Sequence, residues 1–384
     1  MKECKMFIPV VTGDGAVEML GAKAKECGVT KMLVVIDPML KEVEGRIIDI
    51  LKKENIESVV FNGVVPDPTD TSVYEAHDVM VKAGGVNGIV GIGGGSAIDT
   101  AKAVNCSVNN SIPLWKHAVH GGMVPMKPGL PLFLIPSTAG TGAEVTTPAV
   151  ITWVEHGFKS ALRCYPSKYA FVDPSISKGM PAFLTASTGI DALCHAAESL
   201  TNIDHNPMCD AWAKEAIRTI YKWLPVAVRD GSNMEARENM ANAAMLAGQC
   251  ISNTIAHLAH AFGQSIGAKL HKPHGITVGV ALPCAMDYIA DVYTDRVKMV
   301  GECMGLTWTG TETPEEVGKR VGQHIYAFNK QIGLATLADL GVTREEVLSA
   351  AEYVRADTCF KKSPKTMTDE QIVEYLGKIY DGVL

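Results

Sequence analysis

The run Val86-Asn87-Gly88-Ile89-Val90-Gly91-Ile92-Gly93-Gly94-Gly95 restricts the fold more than any other stretch of the chain. It is an apolar segment of strand length that breaks into consecutive glycines, after which Ser96-Ala97-Ile98-Asp99 takes up a helical pattern. A buried strand that turns directly into a helix leaves the first N–H groups of that helix unpaired and aims its positive end at one spot. An anion belongs there, and residues without side chains let a pyrophosphate approach closely. Ser96, with Asp99 three residues on, reads as the helix N-cap. The match to G-x-G-x-x-G is imperfect: its third glycine falls on Ser96, and no acidic residue closes a following strand at the usual distance. The same loop therefore also fits a tight strand-to-helix turn with no ligand.

The stretches around this loop alternate in the way a parallel sheet with crossover helices requires. Residues 31–38 read as a strand, 43–56 as a helix, 57–64 as a second strand, 72–84 as a helix ending at glycine, and 86–95 as the strand already described. After residues 130–144 a β-rich piece, 148–174, alternates as a local antiparallel hairpin does. Near Pro181 the character changes. Residues 206–224, 235–252, 314–332 and 344–356 are amphipathic helices built from good helix formers. The expected organisation is an α/β domain over residues 1–180 and an all-α domain over residues 181–384.

With 384 residues and 47% hydrophobic content the chain can bury a core in each domain. Its net charge of -7 is spread without a basic block, which argues against nucleic acid or an anionic membrane as partner. The first twenty residues lack the apolar core of a signal peptide, and no later window approaches a membrane-spanning run, so a cytoplasmic protein is expected. Ten cysteines sit singly, without a CxxC pair, and read as reduced thiols; Cys194 has mostly apolar neighbours and no evident base.

Two further features bear on a cofactor. Asp37 ends the strand 31–38, where a carboxylate accepts hydrogen bonds from an adenosine ribose and repels a 2′-phosphate, favouring NAD over NADP; a solvated strand-end acid is the plainer alternative. Ser137-Thr138-Ala139-Gly140-Thr141-Gly142-Ala143-Glu144 follows another buried strand and suits a cofactor's phosphate, ribose or amide, or an ordinary polar turn.

In Gly189-Ile190-Asp191-Ala192-Leu193-Cys194-His195, the i, i+4 spacing places Asp191 and His195 on one helix face, as in a surface ion pair or a metal site. Farther on, His257, His260, His271 and His274 lie in a largely apolar stretch, a costly place for imidazoles without partners. His260 falls on a helix, and Pro273-His274-Gly275 turns the chain so that His274 comes back toward it. One Asp and two or three His make a mixed nitrogen and oxygen site with open positions for Fe²⁺ or Zn²⁺.

GIGGGSAIDTAK, PSTAGTGAEVT, GIDALCHAAE and HAFGQSIGAKLHKPHG, in this order and at this spacing, resemble the iron-containing alcohol dehydrogenases over nearly the whole chain. The resemblance implies a dehydroquinate synthase-like architecture, in which an NAD-binding α/β domain precedes a helical catalytic domain. It implies hydride transfer between NAD(H) and a small primary alcohol or aldehyde, and a homodimer. It places metal ligands on Asp191, His195, His260 and His274, and pyrophosphate contacts on Gly93, Gly94, Gly95 and Ser96. Asp37 falls at the ribose, Thr138 and Thr141 beside the cofactor, and Asp67 and Lys159 near it. Many members carry a second histidine where this chain has Gln264, an amide that cannot relay protons near neutral pH, and His257 or His271 is then a candidate for the part. Two other functions fit such motifs: a dehydroquinate synthase-like lyase using NAD and a metal, and a non-catalytic nucleotide-binding protein. The first needs basic residues around its substrate, which the motifs lack; the second predicts missing ligands, and none is missing.

Overall fold

The computed structural model describes residues 4–6 and 8–384. The chain divides into two compact units, one of residues 6–138 and 142–178, the other of residues 139–141 and 179–384 with Cys4 and Lys5.

The first unit runs β1 (Val10–Thr12), α1 (Leu20–Glu26), β2 (Lys31–Ile36), α2 (Lys41–Lys53), β3 (Glu57–Phe61), α3 (Asp70–Lys82), β4 (Gly88–Gly93), α4 (Gly95–Ser107) and β5 (Leu132–Pro136). Then β6 (Pro148–Trp153) and β7 (Phe158–Arg163) pair as an antiparallel ribbon, and β8 (Tyr169–Val172) returns to the main sheet. That sheet has the order β1-β8-β5-β4-β2-β3, with every pair parallel. Alternate side chains explain why its central strands read as unbroken apolar runs. Leu33, Val35 and Ile89 pack with Val73, Ala76 and Ala101 of α3 and α4, whereas Met32, Val34, Ile36, Val90 and Ile92 pack with Leu20, Ala24, Ile47 and Leu51 of α1 and α2. Both faces are covered by helices, so neither needs polar residues. From β2 the chain moves outward to β3 and then returns to β4 on the other side of β2, so the strand order reverses between β2 and β4. In open α/β sheets ligands bind outside the carboxyl ends of the strands at such a point.

This unit also buries a set of charged groups. Lys102 of α4 donates to the Pro148 carbonyl at 2.9 Å and to Thr146 Oγ1 at 3.2 Å, with Asp99 Oδ1 at 3.5 Å. Nearby Glu144 is 2% exposed, and burial pushes its carboxyl from 4.5 up to about 7, against the pull of its own backbone N–H and of Lys102. Because the folded state holds the proton more tightly, the stability this group contributes is fully present below its unfolded value and is lost as pH rises through 7. Between roughly pH 5 and pH 9 the loss is about 2 kcal/mol. Glu144→Gln is therefore expected to flatten that part of the profile in urea unfolding, gaining on the parent in alkali and matching it in acid.

The second unit is helical, with no strand among its described residues. It comprises α5 (Ala182–Leu200), α6 (Pro207–Arg229), α7 (Met234–Thr254), α8 (Leu258–Leu270) and α9 (His274–Ile289). It continues with α10 (Thr294–Cys303), α11 (Pro314–Gln331), α12 (Arg344–Leu348), α13 (Ala351–Val354) and α14 (Asp369–Asp381). Several starts are written in the sequence: Asn206 and Asn233 cap α6 and α7, and Thr313 with Glu316 forms a capping box on α11. Each such cap is worth about 1 kcal/mol. The single helix expected over 344–356 is instead two short ones. The Ser349 hydroxyl donates back to the Glu346 carbonyl and Ala350 N–H bonds Val347 O, tightening the turn that separates them. No helix among the described residues is long and apolar enough to cross a membrane. All ten cysteines are free, eight of them buried.

Candidate functional site

Asp191 lies mid-way along α5, a helix buried over most of its length, and is itself 2% exposed. Its Oδ1 sits 3.7 Å from His195 Nε2 one turn on, 3.6 Å from His260 Nε2 and 3.5 Å from His274 Nε2. The rings of His195 and His260 stack with centroids 4.7 Å apart, and His274 meets His260 at 5.4 Å and 61°. Helix position accounts for this convergence. His260 is in the first turn of α8 and His274 is the first residue of α9. The start of α9 comes close to α5 because residue 275 is glycine: a Cβ there would meet the Ser187 carbonyl oxygen at 2.0 Å.

The link from α7 to α8 is strained. Ile255 has φ +62°, a region a β-branched residue rarely enters, at a cost of about 1–3 kcal/mol. Asn202 holds it by donating to its carbonyl at 2.9 Å. The turn delivers His257 and His260 to Glu198, which is fully buried two turns after Asp191. Glu198 accepts from Ala259 N–H at 2.6 Å and bonds His260 Nδ1, while His257 Nδ1 lies 3.4 Å away and His257 Nε2 sits 2.7 Å from the Thr201 hydroxyl.

Burial alone would raise the Asp191 carboxyl, yet His195, His274 and His260 hold it well below the usual carboxylate range. Burial, with the neighbouring imidazoles, drives His195 down to about 4. Burial also acts to lower His260, but with no ion between them the carboxylates of Glu198 and Asp191 override it and push that imidazole up to about 10; an ion bound at Nε2 would take the place of the proton there. Asp191 Oδ1 and His260 Nε2 are buried and satisfied by no hydrogen bond. A buried carboxylate facing three imidazole nitrogens at 3.5–3.7 Å is a poor hydrogen-bonding arrangement. It suits a metal ion, since tetrahedral ligands about 2.1 Å from one ion are roughly 3.4 Å apart. Asp191, His195 and His260 form a group whose ligand atoms all lie within 4.8 Å of one another, and His274, with 42% of its side chain exposed, lies on the solvent side.

In the sheet unit, the residues expected to meet a cofactor gather at the carboxyl ends of β2, β4 and β5. Asp37 follows β2; its N–H bonds the Ile92 carbonyl, and its Oδ1 accepts from Met39 N–H at 2.9 Å. Gly93 has φ +147°, and a Cβ on it would meet Ala97 Cβ at 2.7 Å and Asp37 Cβ at 3.1 Å. Only glycine allows this approach. Ser96 is not the N-cap that its spacing predicts. The helix begins at Gly95, Gly94 is the cap and makes no side-chain bond, and Asp99 accepts from Val150 N–H instead. With a glycine cap no side chain covers the N–H groups of Gly95 and Ser96, as an anion site requires. Thr138 lies against Gly94, with its Cγ2 3.4 Å from where a Cβ would stand, and Thr141 follows in the same loop. Asp67 and Lys159 form an exposed ion pair at 2.5 Å.

Of the candidates for the missing histidine, His257 is fully buried against Thr201 and Glu198, and His271 is an exposed, left-handed C-cap of α8. Gln264 is half-buried one turn after His260, and its side chain hydrogen-bonds no described residue. Burial raises Cys194 well above the ordinary thiol range, so it is an inert core residue. Glu198 is the residue that reading by motif overlooked. Its signal was present: positions 191, 195 and 198 share one helix face.

Residues 9–174 match the iron-containing alcohol dehydrogenases, and residues 185–380 match the C-terminal part of the Fe-containing alcohol dehydrogenase family. The chain belongs to the iron-containing alcohol dehydrogenase family. It is 33% identical to an NAD-dependent methanol dehydrogenase of Bacillus methanolicus, over 96% of this chain and 98% of that one. It is also 33% identical to a lactaldehyde reductase of Escherichia coli K12, over 94% of this chain and 95% of that one. The solved structure of an alcohol dehydrogenase from Oenococcus oeni superposes with a TM-score of 0.92 at 29% identity, covering 98% of this chain and all of that one. This iron-containing alcohol dehydrogenase thus has the dehydroquinate synthase-like fold and is an oxidoreductase.

Proposed function

We propose that this enzyme moves hydride between NAD(H) and a small primary alcohol or aldehyde, with a divalent ion, Fe²⁺ or alternatively Zn²⁺, held by Asp191, His195, His260 and His274. The observation that carries the reading is the buried, unbonded Asp191 Oδ1 ringed by three imidazole nitrogens. Held by these four residues, the ion would supply Lewis acidity for the substrate oxygen, and NAD(H) would supply the hydride chemistry.

The chain's own residues do the rest. The uncovered N–H groups of Gly95 and Ser96 at the start of α4 receive the pyrophosphate, and Gly93 and Gly94 permit its approach. Asp37 accepts from the adenosine ribose hydroxyls and disfavours a 2′-phosphate. The exposed Lys159 ammonium, paired to Asp67, offers a further cation to the cofactor, and Thr138 and Thr141 offer hydroxyls. Gln264 cannot take a proton near neutral pH, so proton exchange falls to solvent on the open side beside His274. The two enzymes named above by substrate act on methanol and on lactaldehyde, of one and three carbons, which sets the size of substrate to try first. Ten free thiols support a reducing, cytoplasmic setting, and family resemblance supports a homodimer.

The test is NADH oxidation by anaerobically prepared, Fe²⁺-loaded protein against a panel of short aldehydes, beside a metal-stripped control. Consumption that depends on the metal is the expected result. Bound metal and bound NADH with no net consumption on any aldehyde would instead point to chemistry that returns its cofactor unchanged.

A further inference from the structure

Glu198 is a buried carboxylate that the reaction itself does not call for. No lysine or arginine pairs with it among the described residues; its partners are the N–H groups of Ala259 and His260 in the first turn of α8, and the two imidazoles His257 and His260. A carboxylate in such a place costs heavily unless each lone pair is used. Here one oxygen accepts the free N–H groups at the helix start, and the other faces His260 Nδ1. A histidine keeps its proton on the ring nitrogen that faces a carboxylate, and the other nitrogen then presents a lone pair. For His260 that other nitrogen is Nε2, 3.6 Å from Asp191 Oδ1 and without a hydrogen bond.

We propose that Glu198 is the positioning residue of the metal centre: it fixes the start of α8 and holds the His260 proton on Nδ1, so that Nε2 is presented to the ion. The inference rests on the metal-site reading above. His257, held at its far nitrogen by Thr201, closes the remaining side of the carboxylate.

Glutamine cannot do the same in either orientation. With its oxygen toward Ala259 and its NH₂ toward His260, it demands that Nδ1 accept, which moves the ring proton to Nε2 and removes the metal's lone pair. Turned over, it sets NH₂ against two buried backbone N–H groups.

The test uses the full chain, stripped of metal and titrated with Co²⁺, whose visible absorption reports the ligand set. Glu198→Gln is expected to bind Co²⁺ about 10- to 100-fold more weakly with an altered visible spectrum, while the metal-free protein keeps its helical circular dichroism. Glu198→Asp, which keeps the charge but shortens the reach, is expected to lose affinity to an intermediate degree, and it decides the matter if the glutamine variant does not fold. Parent affinity and spectrum in a folded variant would overturn the proposal, as would a lower melting point with Co²⁺ binding unchanged, which marks a residue that only caps a helix. Failure of the parent itself to bind Co²⁺ would defeat the metal-site reading, and so is told apart from failure of this one.

Discussion

Asp191→Asn is expected to empty the metal centre. The substitution keeps the volume of the side chain but removes the one charge toward which His195, His260 and His274 all turn. An amide oxygen is a weaker ligand for a divalent ion, and the amide NH₂ donates to the imidazole lone pairs and so competes with the ion for them. Loss of a group that merely supports a ligand lowers metal affinity by about 10- to 100-fold, so loss of the shared anionic ligand should exceed about 100-fold. Elemental analysis of the purified variant should show little Fe²⁺ or Zn²⁺, and turnover should fall in step. NADH affinity, read by fluorescence, should stay near that of the parent, because the glycine loop belongs to the other compact unit. His260→Ala should behave alike. A variant that retained its metal and its rate would sink the ligand assignment.

Much of this was legible in the sequence, for identifiable reasons. The β2 and β4 runs had to be buried strands because they are apolar on both faces and end in turn residues, and helices capped by Asn206 and Thr313 announce their first residue. Asp191 and His195 were recognisable because helical spacing alone puts them together. What spacing could not supply was the approach of α8 and α9. That depends on Gly275 lacking a Cβ and on the strained turn at Ile255, which are tertiary facts. Ser96 was misplaced as a cap for a related reason. Its local pattern is a good N-cap signal, but the sheet ends at Gly93 and starts the helix two residues earlier than side-chain capping would. Glu198 stood in the same motif as Asp191 and His195, and only the position of α8 shows that its partner is an imidazole rather than solvent.

The glycine cap supplies the second large effect, because there stability and binding are expected to move in opposite directions. Gly94 has φ -73° and ψ -174°, an ordinary extended conformation for an N-cap, and a Cβ on it would touch Thr138 only at 3.4 Å. Gly94→Asp should therefore fold without strain. Its carboxylate can accept from the N–H groups of Ser96 or Ala97, so the variant should gain a few tenths of a kcal/mol over the glycine cap. That same carboxylate then occupies the place proposed for the pyrophosphate. At a separation of ~4 Å and an effective dielectric of ~20, two such charges repel by ~4 kcal/mol. Screening by salt reduces this, and an NADH affinity lowered by about 100-fold, or about 2.7 kcal/mol, is the expected minimum. The measurements are urea unfolding and NADH titration on the metal-loaded protein, with metal content unchanged as the internal control. Unaltered NADH binding would mean that the start of α4 does not hold the cofactor's phosphates, however well the loop resembles one that does. A weakened cofactor in a protein at least as stable as its parent would show that the chain leaves this helix start uncapped for its ligand.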